Sequence, residues 1–191
     1  LIFKKYKIMA TVVCPNICET ELPEVRFSKC SPTIVLSEIV RIFLGKQSTE
    51  PFTDWKSATE WTTRLSENGT TANAIRPLTV IADKPAGSPV VKEISNGRKY
   101  SLRKDFTINI EIDDVSPENY EFMRVTQCGG EYKLWFETAG GRLYGGNEGI
   151  DASLVLDNVL GRGKDEIEKI TGTASWNDKF SPEMCTSPIA K

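Results

Sequence analysis

The chain of 191 residues contains no histidine. The side chain that titrates near neutrality is therefore missing, and with it the Ser-His and Cys-His pairs and every imidazole metal ligand. Carboxylates, lysine and cysteine remain for catalysis, but no spacing among them points to a reaction, and a non-enzymatic role is expected. Long apolar runs are also missing: none approaches the roughly 20 residues a membrane-spanning helix needs. The apolar stretch beside Lys4, Lys5 and Lys7 is too short for a signal-peptide core. The chain begins at Leu1, and Met9-Ala10-Thr11 offers a second start. Synthesis and folding in a cytoplasm, with no membrane partner, is the expectation.

Charge of one sign is scarce as well. The formal net charge is −2, from 24 basic and 26 acidic residues. A nucleic-acid surface built on net charge is not expected, although a local basic patch is compatible with this balance. Five cysteines make an odd, sparse set, which fits a reducing compartment better than a disulfide framework. Cys14, Cys18 and Cys30 lie close in sequence, but C-x3-C with a lone third cysteine is not the paired C-x2-C of a zinc site. Small packed or half-exposed thiols are the expected reading, with no cofactor and no metal.

What is present is alternation. From Tyr100 to Ile112 apolar residues hold the even positions, Lys104 excepted, and Ser101, Arg103, Asp105, Thr107, Asn109 and Glu111 hold the odd ones. Side chains on a strand point alternately to its two faces, so this is a strand with one dry and one wet face. At roughly 3.3 Å per residue it spans about 43 Å, far beyond an ordinary strand.

Around it the pattern is mainly β. Residues 1–32 read as an N-terminal arm, and 33–176 as one β-rich domain with an insertion at 46–76. Residues 177–191, with Pro182 and Pro188, read as an extended C-terminal arm. Thr33–Leu44 is β-branched and nearly continuously apolar, a strand or hairpin ended by Gly45. Trp55, Ala58, Thr62 and Leu65 share helical spacing, so 54–66 reads as a short helix, with a long ordered loop as the rival. Short strands are expected at Leu78–Ala82 and Pro89–Ser95, and Asn96-Gly97 is a hairpin signal leading into the long strand. Ser116-Pro117-Glu118 reads as N-cap, first-turn proline and first-turn acid, and Gly129-Gly130 as the stop of a helix near 117–127. Further strands follow at Tyr132–Thr138, Arg142–Tyr144, Ser153–Leu160 and Glu168–Trp176. The expected fold is an antiparallel β-sandwich or half-barrel.

Motifs with chemistry fail on inspection. Gly161-Arg162-Gly163-Lys164 resembles the end of a phosphate loop, but Asn158 stands where the first glycine belongs and Asp165 where Ser or Thr does. Gly145–Asp151 lacks the alternating acids of a calcium loop and reads as a surface turn. Asp113-Asp114 reads as turn acids.

The closing third carries a resemblance. Cys128-Gly129-Gly130, the segment Tyr132–Thr138, Gly141-Arg142-Leu143-Tyr144-Gly145-Gly146, then Glu168–Trp176 and Ser181-Pro182-Glu183 follow in order. That order, over about 60 residues from Cys128 to Pro188, resembles phage and prophage virion proteins of Bacteroidetes, and among named classes the tail-tube family. The resemblance implies a β-sandwich or half-barrel flanked by a helix, with arms and a loop reaching neighbouring subunits. It implies a homo-oligomeric ring, its number open with a hexamer among the counts, whose partners are itself, other virion proteins, and DNA only as passing cargo. In that setting Ser101, Arg103, Asp105, Thr107, Asn109 and Glu111 would face the lumen; Trp55 and Trp61 need burial, first of all against the body of the chain and otherwise in contact with a neighbouring subunit. The part before Cys128 carries no motif that aligns, so neck, head-completion and capsid-associated roles stay open. The rival expectation is a monomeric β-sandwich module binding a glycan or peptide through Trp55, Trp61 and the glycine-rich loops.

Overall fold

The computed structural model describes residues 25, 27–66 and 71–189. The chain divides into two units, Leu1–Ile34 and Val35–Lys191. In the first, the described residues form no helix or strand, and Val25, Phe27 and Ile34 are exposed. The rest of the expected N-terminal arm, Cys14 and Cys18 included, lies outside the described residues.

The second unit is built on strands, as expected. They are β1 (Ile39–Lys46), β2 (Ile75–Asp83), β3 (Ser88–Ile94), β4 (Arg98–Ile112), β5 (Glu131–Thr138), β6 (Arg142–Tyr144), β7 (Ile150–Val159), β8 (Lys169–Asp178) and β9 (Met184–Thr186), with helices α1 (Ala58–Ser66) and α2 (Pro117–Thr126). All pairings are antiparallel, in the order β1-β2-β4-β8-β7-β5. β5 also pairs with β1, Ile42 opposite Phe136 and Leu44 opposite Leu134. The sheet thereby closes into a six-stranded barrel. Closure leaves those strands few open edges, which a half-barrel would have exposed.

The period of two then sorts side chains into inside and outside. Ile42, Leu44, Val80, Ile108, Ile110, Leu134, Phe136, Leu154, Leu156, Ile170 and Ala174 are buried in one cluster. Trp176 stacks on Phe106, ring centroids 5.4 Å apart. Gly172 occupies a point of close approach: a Cβ there would meet the Val155 carbonyl and Leu156 across the β7–β8 seam. Helix α2 adds Met123 and Phe122 to this cluster. It starts where the sequence marks it: Ser116 Oγ accepts from the Asn119 N–H at 3.4 Å, and Pro117 opens the first turn. No helix among the described residues is long and apolar enough to cross a membrane.

A second cluster lies on the opposite side of β1 and β5, where Phe43 and Trp135 point away from the first. Over it lie α1 and the chain leading to it. Trp61 packs on Phe43 at 5.1 Å, on Phe52 at 4.5 Å and edge-on to Trp135 at 5.8 Å. Its Nε1–H donates to the Trp55 carbonyl at 2.7 Å, and that of Trp135 donates to the Gly146 carbonyl at 2.8 Å. Arg64, itself buried, donates to the carbonyls of Glu50 (2.6 Å) and Pro51 (2.9 Å) and to Glu60 Oε1 (3.0 Å), lying 4.0 Å over the Phe52 ring. The insertion is thus a packed cover with a short helix inside it.

Two expectations change. The first strand starts at Ile39 rather than Thr33 and runs through Gly45 to Lys46, because Gly45 sits against Thr49 and pairs on both sides. The C-terminal stretch folds back: β9 pairs with β6, Cys185 is buried in the second cluster, and Ser187 N–H donates to the Gly141 carbonyl at 2.8 Å.

Candidate functional site

β4 is 15 residues long and only its second half belongs to the barrel. From Phe106 onward the alternation is strict: Phe106, Ile108, Ile110 and Ile112 are buried, while Thr107, Asn109 and Glu111 point outward. Pairing with β8 begins at Lys104, opposite Asp178. Before it, Arg98–Arg103 pairs with β3 alone, forming a two-stranded arm whose two outer edges have no partner among the described residues. Asn96 and Gly97 turn the arm with φ of 65° and 70°, the left-handed values that this dipeptide favours.

The arm keeps apolar surface in water. Val91, Ile94, Tyr100 and Leu102 are each between 42% and 51% exposed. The dry face expected from Tyr100 to Ile112 is therefore dry only from Phe106. Lysines on an open edge are a common guard against aggregation, but exposed Val, Ile, Tyr and Leu are not. Register sorts the tip into two faces. Lys92 lies opposite Tyr100 and Ile94 opposite Arg98, so these four share one face, which carries no acid. Val91 with Ser101 and Glu93 with Lys99 share the other. At the base of the arm, Lys84 Nζ lies 4.7 Å from the Phe106 ring centroid. Burial, and then the like charge of Lys104, hold the Lys84 ammonium below the ordinary lysine range.

The six residues expected on one lumen face divide between two surfaces. Thr107, Asn109 and Glu111 lie on the outer barrel wall, where Asn109 Nδ2 donates to Asp83 at 3.2 Å and Glu111 accepts from Lys169 Nζ at 2.9 Å. Ser101, Arg103 and Asp105 belong to the arm and its root, with Arg103 Nε 3.1 Å from Asp105 Oδ1. Trp55 and Trp61 are 3% and 1% exposed, so neither ring is free for a neighbouring subunit. They are core of the second cluster, because a cover over an outward Phe43 and Trp135 needs large aromatics beneath it.

A hollow of about 1130 Å³ lies beside β2, β4 and β8 and reaches residues 35–39. Glu38, Asp83 and Glu111 line it, but Asp83 is held by Asn109 and Glu111 by Lys169. The glycine-rich turn at 145–149 closes over Trp135: Gly145 and Gly149 have positive φ, and a Cβ at either would strike the indole. Among the described residues no group of three or more Cys, Asp or Glu is placed to hold a metal, and Cys30 is exposed. The buried Cys185 thiol is pushed up by burial and by Asp54, with Lys56 opposing.

The signal that finds the arm was in the sequence: a strand too long for its domain, beginning at an Asn-Gly turn. The open edges were not, since they depend on where β8 stops. No protein-family model matches this chain, and no curated protein is significantly similar to it.

Proposed function

We propose that this chain is a non-enzymatic structural protein that assembles with copies of itself, of the tail-tube type, into a ring or tube serving as a conduit for DNA in a virion. The observation that carries the reading is the β3–β4 arm: two backbone edges without a partner among the described residues and four exposed apolar side chains, on a closed six-stranded barrel. A closed barrel is a rigid brick, and an open-edged hairpin is the element by which one brick extends another's sheet or fills its groove. The polar outer wall at Thr107, Asn109 and Glu111 is the surface assigned to the lumen. The tail-tube assignment itself rests on the resemblance over Cys128–Pro188. The rival binding-module reading loses its support in Trp55 and Trp61, which are buried.

Light scattering of the full chain over a concentration series, with negative-stain images, tests this reading. Rings or tubes are expected from the native chain, and only monomer from Tyr100→Asp/Leu102→Asp, whose sites are exposed and outside the core. A native chain that stays strictly monomeric at high concentration overturns the proposal.

A further inference from the structure

The two ends of the barrel differ in charge. Residues 84–105, the arm and its root, hold Lys84, Lys92, Arg98, Lys99, Arg103 and Lys104 against two acids, Glu93 and Asp105. That leaves 18 basic and 24 acidic residues in the rest of the chain. At the far end of β4, Asp113, Asp114, Glu118 and Glu121 follow one another with no base among them. A groove of about 650 Å³ opens there along α2, with Tyr120, Val125 and Cys128 supplying its softer wall and Glu121, Arg124 and Glu168 its charges. Tyr120 and Val125 are 39% and 60% exposed. Among the described residues Glu118, Glu121 and Glu168 enter no ion pair, and neither do Lys92 and Arg98.

We infer that the arm tip of one copy docks in the α2 groove of the next, head to tail, with Tyr100 and Ile94 on Tyr120 and Val125, and Lys92 and Arg98 facing Glu121 and Glu168. The inference rests on the self-assembly reading and names the surfaces it uses. An intramolecular version is excluded by geometry: Tyr100 and Ile112 lie on one continuous strand, and at roughly 3.3 Å per residue they are about 40 Å apart. The arm of a chain therefore does not reach its own α2. The tip face, with two bases, two apolar side chains and no acid, would also suit a phosphate backbone. What favours a second copy is the matching site on the chain itself: an apolar wall with unpaired acids, of opposite charge, at the opposite end. Such a contact joins unlike surfaces, so it propagates, closing into a ring or continuing as a stack.

Charge reversal and a native cysteine test the inference together. Lys92→Glu/Arg98→Glu and Glu121→Lys/Glu168→Lys should each weaken association at least tenfold by light scattering. Mixing the two variants, or combining all four changes in one chain, should restore it. Mild oxidation of Tyr100→Cys should form a disulfide to Cys128 of another copy, identified by peptide mapping in a mixture of isotope-labelled and unlabelled chains. All these positions are surface sites, and unchanged thermal unfolding of the unassembled variants confirms the fold. Assembly that is undiminished by either reversal, with cross-links only elsewhere, overturns the docking site and leaves self-assembly standing. A native chain that never assembles overturns both. Retention of the monomer on duplex DNA, lost with Lys92→Glu/Arg98→Glu, would assign the arm to nucleic acid and overturn the inference.

Discussion

Glu137 is 1% exposed, and Arg41 Nε donates to its Oε2 at 2.6 Å. Its Oε1 finds no hydrogen-bond partner among the described residues. Arg41 is the ion-pair partner of this buried carboxylate, and removing Arg41 leaves it unpaired out of water. Arg41→Ala should therefore cost about 3–5 kcal/mol in urea unfolding, while Arg41→Met/Glu137→Leu should recover most of that loss. A double variant as unstable as the single one would show that the pair stabilises by more than satisfying itself. Glu60 makes the opposite case. Burial pushes its carboxyl up, but the N–H groups of Asp54 and Thr53 and the Arg64 guanidinium outweigh it and hold it below its ordinary 4.5. A group with a depressed folded value stabilises above its unfolded value and loses that contribution as protons bind. The cover over the second cluster should thus loosen as pH falls below 4.5, read as tryptophan emission, and Glu60→Gln should flatten that part of the profile. Glu60 and Arg64 stand four apart on α1, a spacing visible in the sequence. Arg41 and Glu137 are not legible as partners, because they meet across a long separation that only the closed sheet creates.

At the scale of elements, what was legible followed from local chemistry. Helix α2 begins at its cap and proline and ends before its glycines, because each of those signals acts on its nearest neighbours. The hairpin at Asn96-Gly97 is legible for the same reason. β9 escaped because a three-residue strand between two prolines carries no period, and only its pairing with β6 defines it. The turn over Trp135 was visible as glycines but not as a lid, since the ring it covers comes from β5. Gly149 has φ of 73° and a Cβ there would lie 2.6 Å from the Trp135 ring. Gly141 has φ of 75° with nothing within 4 Å of such a Cβ. Both alanine variants bear the left-handed backbone penalty, and Gly149→Ala alone adds the collision. Gly149→Ala should cost roughly 2–4 kcal/mol and shift tryptophan emission, against about 1 kcal/mol and no spectral change for Gly141→Ala. Equal losses in chemical denaturation would mean that the loop moves off the indole freely.

For the whole molecule, alternation along β4 and β7 predicts a sheet with one dry face but does not distinguish a sandwich from a barrel. That distinction lies in one pairing, β1 with β5, between segments about ninety residues apart. The same limit hid where the arm leaves the barrel, because a strand's period persists whether or not a core lies under it. Lys104 marks the change: beyond it β4 has β8 for a neighbour, before it only β3. Backbone amides in the two halves should therefore differ in protection although they belong to one strand. In dilute solution hydrogen exchange should be slow over Phe106–Ile112, whose amides open only with the barrel, and fast over Arg98–Arg103. Raising the concentration until large species form should slow the arm and the α2 groove together while leaving the barrel strands unchanged. Slowing confined to the arm would point to edge-to-edge pairing of two arms, and slowing confined to neither would separate assembly from the arm.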